Sequence, residues 1–225
     1  MNREHIRARI EEIGIVPGVR VSNPEYARYA AETLYNARIP IVEITMTVPD
    51  ATQVISHIAK SLPHMIVGAG TVLDAETALR CLDAGAKFLT SPGLVMEVVE
   101  VAIKHNAVVF PGVLTPTEVI AAWKAGVDFV KIFPCSLVGG PAYIRSLKVP
   151  LPQIRLIASG GVNQHSAASF ILAGASALGI GQELIPQEAL RRKQEEQIQE
   201  LSRRFLHIVK STREAAVPAR NSEQD

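Results

Sequence analysis

Eight short apolar segments, near 15–20, 40–46, 65–69, 87–90, 107–111, 128–133, 154–158 and 176–180, alternate along this chain with helical patterns. Strands that alternate with helices form a parallel sheet with both faces covered. Eight such units close most economically into a (β/α)8 barrel, and 225 residues suffice for one. An open doubly wound sheet is the competing arrangement. It is disfavoured because no GxGxxG follows the first strand, and VGAGTVL at 67–73 carries only the first two glycines. The expectation is a single α/β barrel domain over 1–216, with an added helix at each end and a disordered tail over 217–225.

The helix ends are marked locally. DAGAKFLTSPG (83–93), KAGVDFVKIFP (124–134) and LAGASALGIG (172–181) resemble one another. In each, Ala-Gly closes a helix and leads into a strand, with Gly85, Gly126 and Gly174 suited to the left-handed position after the cap. Thr115-Pro116-Thr117-Glu118 has the form of a capping box. Asn23 and Asn163 precede two further helical patterns. Ile6, Ile10 and Ile13 give the N-terminal segment an amphipathic helix, and Ile198, Leu201, Phe205 and Ile208 form a stripe on the C-terminal one.

Composition narrows the function classes. A net charge of +1 offers no footprint for nucleic acid or anionic membrane. MNREHIRARIEEIG lacks the apolar stretch of a signal peptide, and no apolar run has the length of a membrane span. Two cysteines, Cys81 and Cys135, form no disulfide framework, so a reducing cytoplasm is the expected home. The six histidines show no HxH or HExxH spacing, so a metal site is not expected. Cys135 has no evident histidine base and reads as a packed loop residue.

In a parallel barrel, chemistry collects where the strands end. Alternation along the sixth strand puts Phe129, Lys131 and Phe133 on one face, with Val130 and Ile132 on the other. An amine among such neighbours loses hydration, which disfavours its ammonium form, and only the neutral amine attacks a carbonyl. The plain alternative is a strand-end lysine reaching to solvent. Glu43 places a carboxylate inside a second apolar strand, where it needs a partner. A purely structural Lys131–Glu43 pair is the competing reading, but such pairs rarely outperform apolar packing, which favours chemistry. Thr45 ends the same strand. Arg20 and Thr71 end strands 1 and 3 and suit an anionic substrate group. Ser159-Gly160-Gly161 opens onto the helix after strand 7, where backbone N–H groups can receive phosphate.

These segments, read in order, resemble a known family. VEITMTVPDA (42–51), IVGAGTV (66–72), SPG (91–93), FPGVLTPTE (110–118), VKIFP (130–134), GGPAYIRSLK (139–148) and SGGV (159–162) are similar to the class I 2-keto-3-deoxy-6-phosphogluconate (KDPG)/4-hydroxy-2-oxoglutarate (KHG) aldolases. The resemblance covers roughly 13 to 188. It implies a Schiff base on Lys131, with Glu43 as general acid and base. Arg20, Thr71 and Pro92 would surround pyruvate, Phe133 would form an apolar wall, and Ser159, Gly160, Gly161 and Gly181 would take the phosphate. The implied reaction is cleavage of a phosphorylated 2-keto acid to pyruvate and glyceraldehyde 3-phosphate, without a cofactor, by a homotrimer acting in sugar-acid breakdown (the Entner–Doudoroff pathway). Thr47 stands where some members carry arginine, which shifts weight onto Arg20. Gln182-Glu183 stands where members often have Gly-Ser, which keeps open the galactonate epimer or 4-hydroxy-2-oxoglutarate. A non-catalytic phosphate-binding barrel is the reading outside enzymes.

Overall fold

The structure, a computed structural model, describes residues 1–216. The tail expected to be disordered, 217–225, lies outside the described residues. Asn2 opens α1 (Arg3–Ile13) by accepting the His5 N–H, and Gly14 ends it at a φ of 70°. The units that follow are β1 (Ile15–Val19) and α2 (Pro24–Asn36), β2 (Ile41–Thr45) and α3 (Ala51–Ser61), then β3 (Ile66–Gly70) and α4 (Ala75–Asp83). Next come β4 (Phe88–Ser91) and α5 (Met96–Lys104), β5 (Val108–Val113) and α6 (Pro116–Lys124), and β6 (Val130–Ile132). A 3-10 turn (Cys135–Val138) leads to α7 (Pro141–Lys148), β7 (Leu156–Ser159), α8 (Gln164–Leu172) and β8 (Ala175–Ile180). The described chain finishes with α9 (Gln187–Arg191) and α10 (Glu195–Ala216).

The strands run in sequence order, all parallel, and β8 pairs back onto β1 to close the barrel. The expected (β/α)8 architecture is therefore present, with the added N- and C-terminal helices. Gly85, Gly126 and Gly174 follow their helices at φ values of 106°, 84° and 100°, the conformation that the Ala-Gly turns require. Thr115 and Glu118 form the capping box, and Asn23 and Asn163 cap α2 and α8. Strand bounds shift from the expected ones by one or two residues at an end. The sixth strand spans Val130–Ile132 rather than 128–133, and the Asp128 side chain at its entry bonds Arg3 and the Val109 N–H. On α10 the buried face is Ile198, Ser202, Phe205 and Val209, with Leu201 and Ile208 only flanking it. Ser202 is accommodated there by donating its hydroxyl to the Ile198 carbonyl.

Two apolar layers result. One lies between barrel and helices and includes Val130, Ile132 and Cys135. The other fills the barrel itself, with Val16, Ile41, Ile66, Phe88, Val108, Phe110, Phe129, Ile157 and Ala177 closed from below by Ile6 and Ile10 of α1. Phe110 stacks on Phe88 at 5.2 Å and meets Phe129 edge-on at 6.0 Å, so the interior is a packed floor rather than a pore.

Candidate active site

Side chains alternate along a strand, so the inward residues above this floor are fixed two positions further on. From Ile41, Phe129 and Ile157 they are Glu43, Lys131 and Ser159, and from Phe88 it is Thr90. From Val16, Ile66, Phe110 and Ala177 they are Gly18, Gly68, Gly112 and Gly179. The register sets polar residues beside glycines: Glu43 is level with Gly18 and Gly68, Lys131 with Gly112, and Ser159 with Gly179. A Cβ on Gly70 would collide with the Glu43 carboxylate, and one on Gly179 with the Ser159 side chain. The glycines thus make the room that the functional groups occupy.

Lys131 Nζ lies 4.0 Å from Glu43 Oε2, and their side chains are 12% and 10% exposed. This is a sheltered pair at the barrel mouth, which rules out the lysine that reaches to solvent. Nζ also donates to Thr90 Oγ1 at 3.1 Å and sits 5.5 Å from the Phe133 ring centroid. Thr45 donates to the Val19 carbonyl at 3.1 Å and shares a 2.7 Å hydrogen bond with Thr47.

The pair opens into a cavity of about 400 Å³. Arg20, Glu43, Lys131, Phe133, Ser159, Gly160, Gly161 and Gly181 all line it, so eight of the ten expected site residues converge. Thr71 and Pro92 stand outside the lining. Thr71 is tied to the cavity by Arg20, whose Nη2 donates to its hydroxyl at 3.4 Å. It holds a left-handed φ of 60°, a conformation that costs a β-branched residue about 1–3 kcal/mol. Pro92 is exposed, and its carbonyl packs over the inward-facing Gly112 of β5. At the far end, Gly160 and Gly161 have φ values of 88° and 84°, and Ser136 N–H donates to the Gly160 carbonyl. Asn163 already accepts the His165 and Ser166 N–H groups of α8, so the glycine backbone is the part of this segment left to face a ligand. Gln182 and Glu183 line that same end and are exposed.

Thr90 and the spacing glycines Gly18 and Gly70 escaped the sequence reading. The signal for Thr90 was present: a hydroxyl two residues after Phe88, late in an apolar strand. Cys135 is fully buried, and burial pushes its thiol up to about 11, in keeping with a packing role. Among the described residues no cluster of His, Cys, Asp or Glu could hold a metal ion, and no helix is long and apolar enough to cross a membrane.

Fold and site together define a (β/α)8-barrel enzyme with a sheltered amine and carboxylate at its C-terminal mouth, a pairing suited to carbonyl chemistry. A family model described as KDPG and KHG aldolase matches residues 6–201, and the chain belongs to that family. A 2-dehydro-3-deoxy-phosphogluconate aldolase of Treponema pallidum is 30% identical over 89% of this chain and 95% of its own length. A probable 2-dehydro-3-deoxy-6-phosphogalactonate aldolase of Rhizobium meliloti is 33% identical over 76% of this chain and 80% of its own. Among solved structures, KDPG aldolase from Legionella pneumophila, with pyruvate captured as a covalent carbinolamine, superposes with a TM-score of 0.81 at 26% identity. That match covers 88% of this chain and 96% of the Legionella chain.

Proposed function

We propose that this chain is a class I aldolase that cleaves 2-keto-3-deoxy-6-phosphogluconate to pyruvate and glyceraldehyde 3-phosphate. The observation that carries the reading is the sheltered Lys131–Glu43 pair at the closed end of the cavity. Neutral Lys131 attacks the C2 ketone, and a proton passes from the attacking nitrogen to the carbonyl oxygen to give a carbinolamine. Glu43 delivers a second proton to that oxygen, water leaves, and an iminium forms. Glu43, now a carboxylate, accepts the C4 hydroxyl proton. The C3–C4 bonding electrons flow into the iminium, and the aldehyde departs. Glu43 returns that proton to C3 of the enamine. Water then adds to the iminium, giving its proton to Glu43, so that pyruvate leaves and the amine is restored. Arg20 holds the substrate carboxylate, and Phe133 walls the apolar side. The carbinolamine in the Legionella relative supports the same covalent step for Lys131.

A specific feature supports a second reading beside this one. Glu183 brings a carboxylate to the end of the cavity where a phosphate would lie, and like charges there repel. The second reading is therefore an unphosphorylated 2-keto acid such as 4-hydroxy-2-oxoglutarate, with the galactonate epimer as the other variant within the family. A homotrimer in the cytoplasm, serving sugar-acid breakdown, completes the proposal, and analytical ultracentrifugation tests the trimer.

Borohydride reduction in the presence of pyruvate is the decisive experiment. A stable adduct on the peptide containing Lys131, absent from Lys131→Ala, is the expected result. No adduct on the wild-type protein would leave a binding barrel. Cleavage rates on the two phosphorylated epimers and the unphosphorylated acid then rank the substrates.

A further inference from the structure

We infer that Thr90 is a positioning residue for the reactive amine, fixing the direction in which Lys131 Nζ presents itself to a carbonyl carbon. The inference rests on the reading of Lys131 as the nucleophile. Among the described residues, the hydrogen bond to Thr90 Oγ1 at 3.1 Å is the one Nζ makes. Glu43 Oε2, at 4.0 Å, is near enough for charge attraction but too far for a hydrogen bond.

The placement of Thr90 follows from the barrel. It lies two residues after Phe88 on β4, faces inward above the Phe88–Phe110 stack, and is level with Phe110 in the β4–β5 register. It is fully buried. A hydroxyl at such a place would ordinarily lack a partner, and here its partner is the lysine nitrogen. Lys131 comes from β6, so the bond crosses the interior over β5, where Gly112 presents no side chain.

The chemistry follows from the inventory of donors and lone pairs. A neutral primary amine has two N–H bonds and one lone pair. When Thr90 Oγ1 accepts one N–H from below, rotation about the last side-chain bond is restricted and the lone pair turns toward the cavity. Glu43 stays beside the nitrogen and remains free to move protons. A flexible four-carbon side chain otherwise spreads the amine over several rotamers, few of them aligned for attack.

The test compares Thr90→Val, which keeps the shape and removes the hydroxyl, with Thr90→Ser, which keeps the hydroxyl. For each, the rate of borohydride-trappable imine formation is measured against pyruvate concentration. One uncharged hydrogen bond corresponds to roughly a tenfold effect on rate. The expected result is a maximal trapping rate about tenfold lower for Thr90→Val, with the half-saturating pyruvate concentration unchanged and the rate restored in Thr90→Ser. If Thr90→Val does not fold, Thr90→Ala and Thr90→Ser form the comparison, since both lack the methyl group and differ in the hydroxyl. A wild-type maximal rate in the variant without the hydroxyl overturns the proposal. So does an equal loss in both members of the pair, which would mark a packing role. The underlying reading fails separately, if the wild-type protein itself forms no adduct on Lys131.

Discussion

Gly70 closes β3 directly beside the Glu43 carboxylate, and a methyl group there would occupy the carboxylate's own position. Because the colliding atoms are the far end of a flexible side chain, Gly70→Ala can fold by pushing Glu43 aside. The substitution therefore moves the proposed proton carrier without removing it. A misplacement of about 1 Å at a reacting group costs roughly a hundredfold in rate. For Gly70→Ala we expect kcat for aldol cleavage to fall by about that factor, with circular dichroism and thermal midpoint close to wild type. Steady-state kinetics beside a melting curve reads both quantities. Cleavage within a few-fold of wild type would mean that the carboxylate's position against Gly70 has no part in turnover. The same complementarity recurs where Gly179 accommodates Ser159 and Gly68 accommodates Phe88. At the level of single residues, then, the site is shaped as much by absent side chains as by present ones.

Among the elements, α1 serves the barrel rather than the reaction. Ile6 and Ile10 close the floor, and Arg3 fastens the helix by donating Nε and Nη2 to the Asp128 carboxylate and Nη2 to the Gly126 carbonyl. Asp128 also accepts the Val109 N–H, so this one buried carboxylate joins α1, β5 and the entry to β6. Arg3→Ala removes charge-assisted bonds that are partly open to solvent, a loss of about 1–3 kcal/mol. The denaturant midpoint should fall accordingly, while pyruvate trapping at the opposite end of the barrel stays at the wild-type rate. A trapping rate that falls with stability would show that floor and mouth are coupled. Much of this level was legible in the chain. The Asn and Thr caps, the Ala-Gly turns and the eight strands depend on neighbours within a few residues, and so do the inward faces that gave Glu43 and Lys131. Thr90 and the spacing glycines were not, because the significance of Gly70 for Glu43 or of Thr90 for Lys131 appears only once closure sets the register between strands. The stripe on α10 was shifted for a different reason: Ser202 satisfies its hydroxyl within its own helix, which lets a polar residue stand on the buried face. The reach of Arg20 to Thr71, between residues 51 apart in sequence, likewise depends on closure.

For the whole molecule, closure also bears on how it opens. Each strand pairs on both sides, β8 with β1 included, so the described barrel has no free edge from which to unzip. One apolar layer runs continuously around it beneath the helices. The two cysteines report on this from opposite halves: Cys81 lies on α4, between β3 and β4, and Cys135 on the turn after β6, and both are fully buried. Burial pushes each thiol from an ordinary value of 9.0 up to about 11. The folded state therefore favours the protonated thiols, a contribution fully present below about 9 and lost as pH rises toward 11. At neutral pH, burial and the scarcity of thiolate together block alkylation, so labelling marks opening. If the continuous core and the closed seam make the barrel one cooperative unit, both cysteines become labelled over the same denaturant interval, with no singly labelled species accumulating. Mass spectrometry of samples quenched across a urea series reads this directly. Labelling of Cys135 at a urea concentration that still protects Cys81, or the reverse, would show that one half of the barrel opens while the other holds.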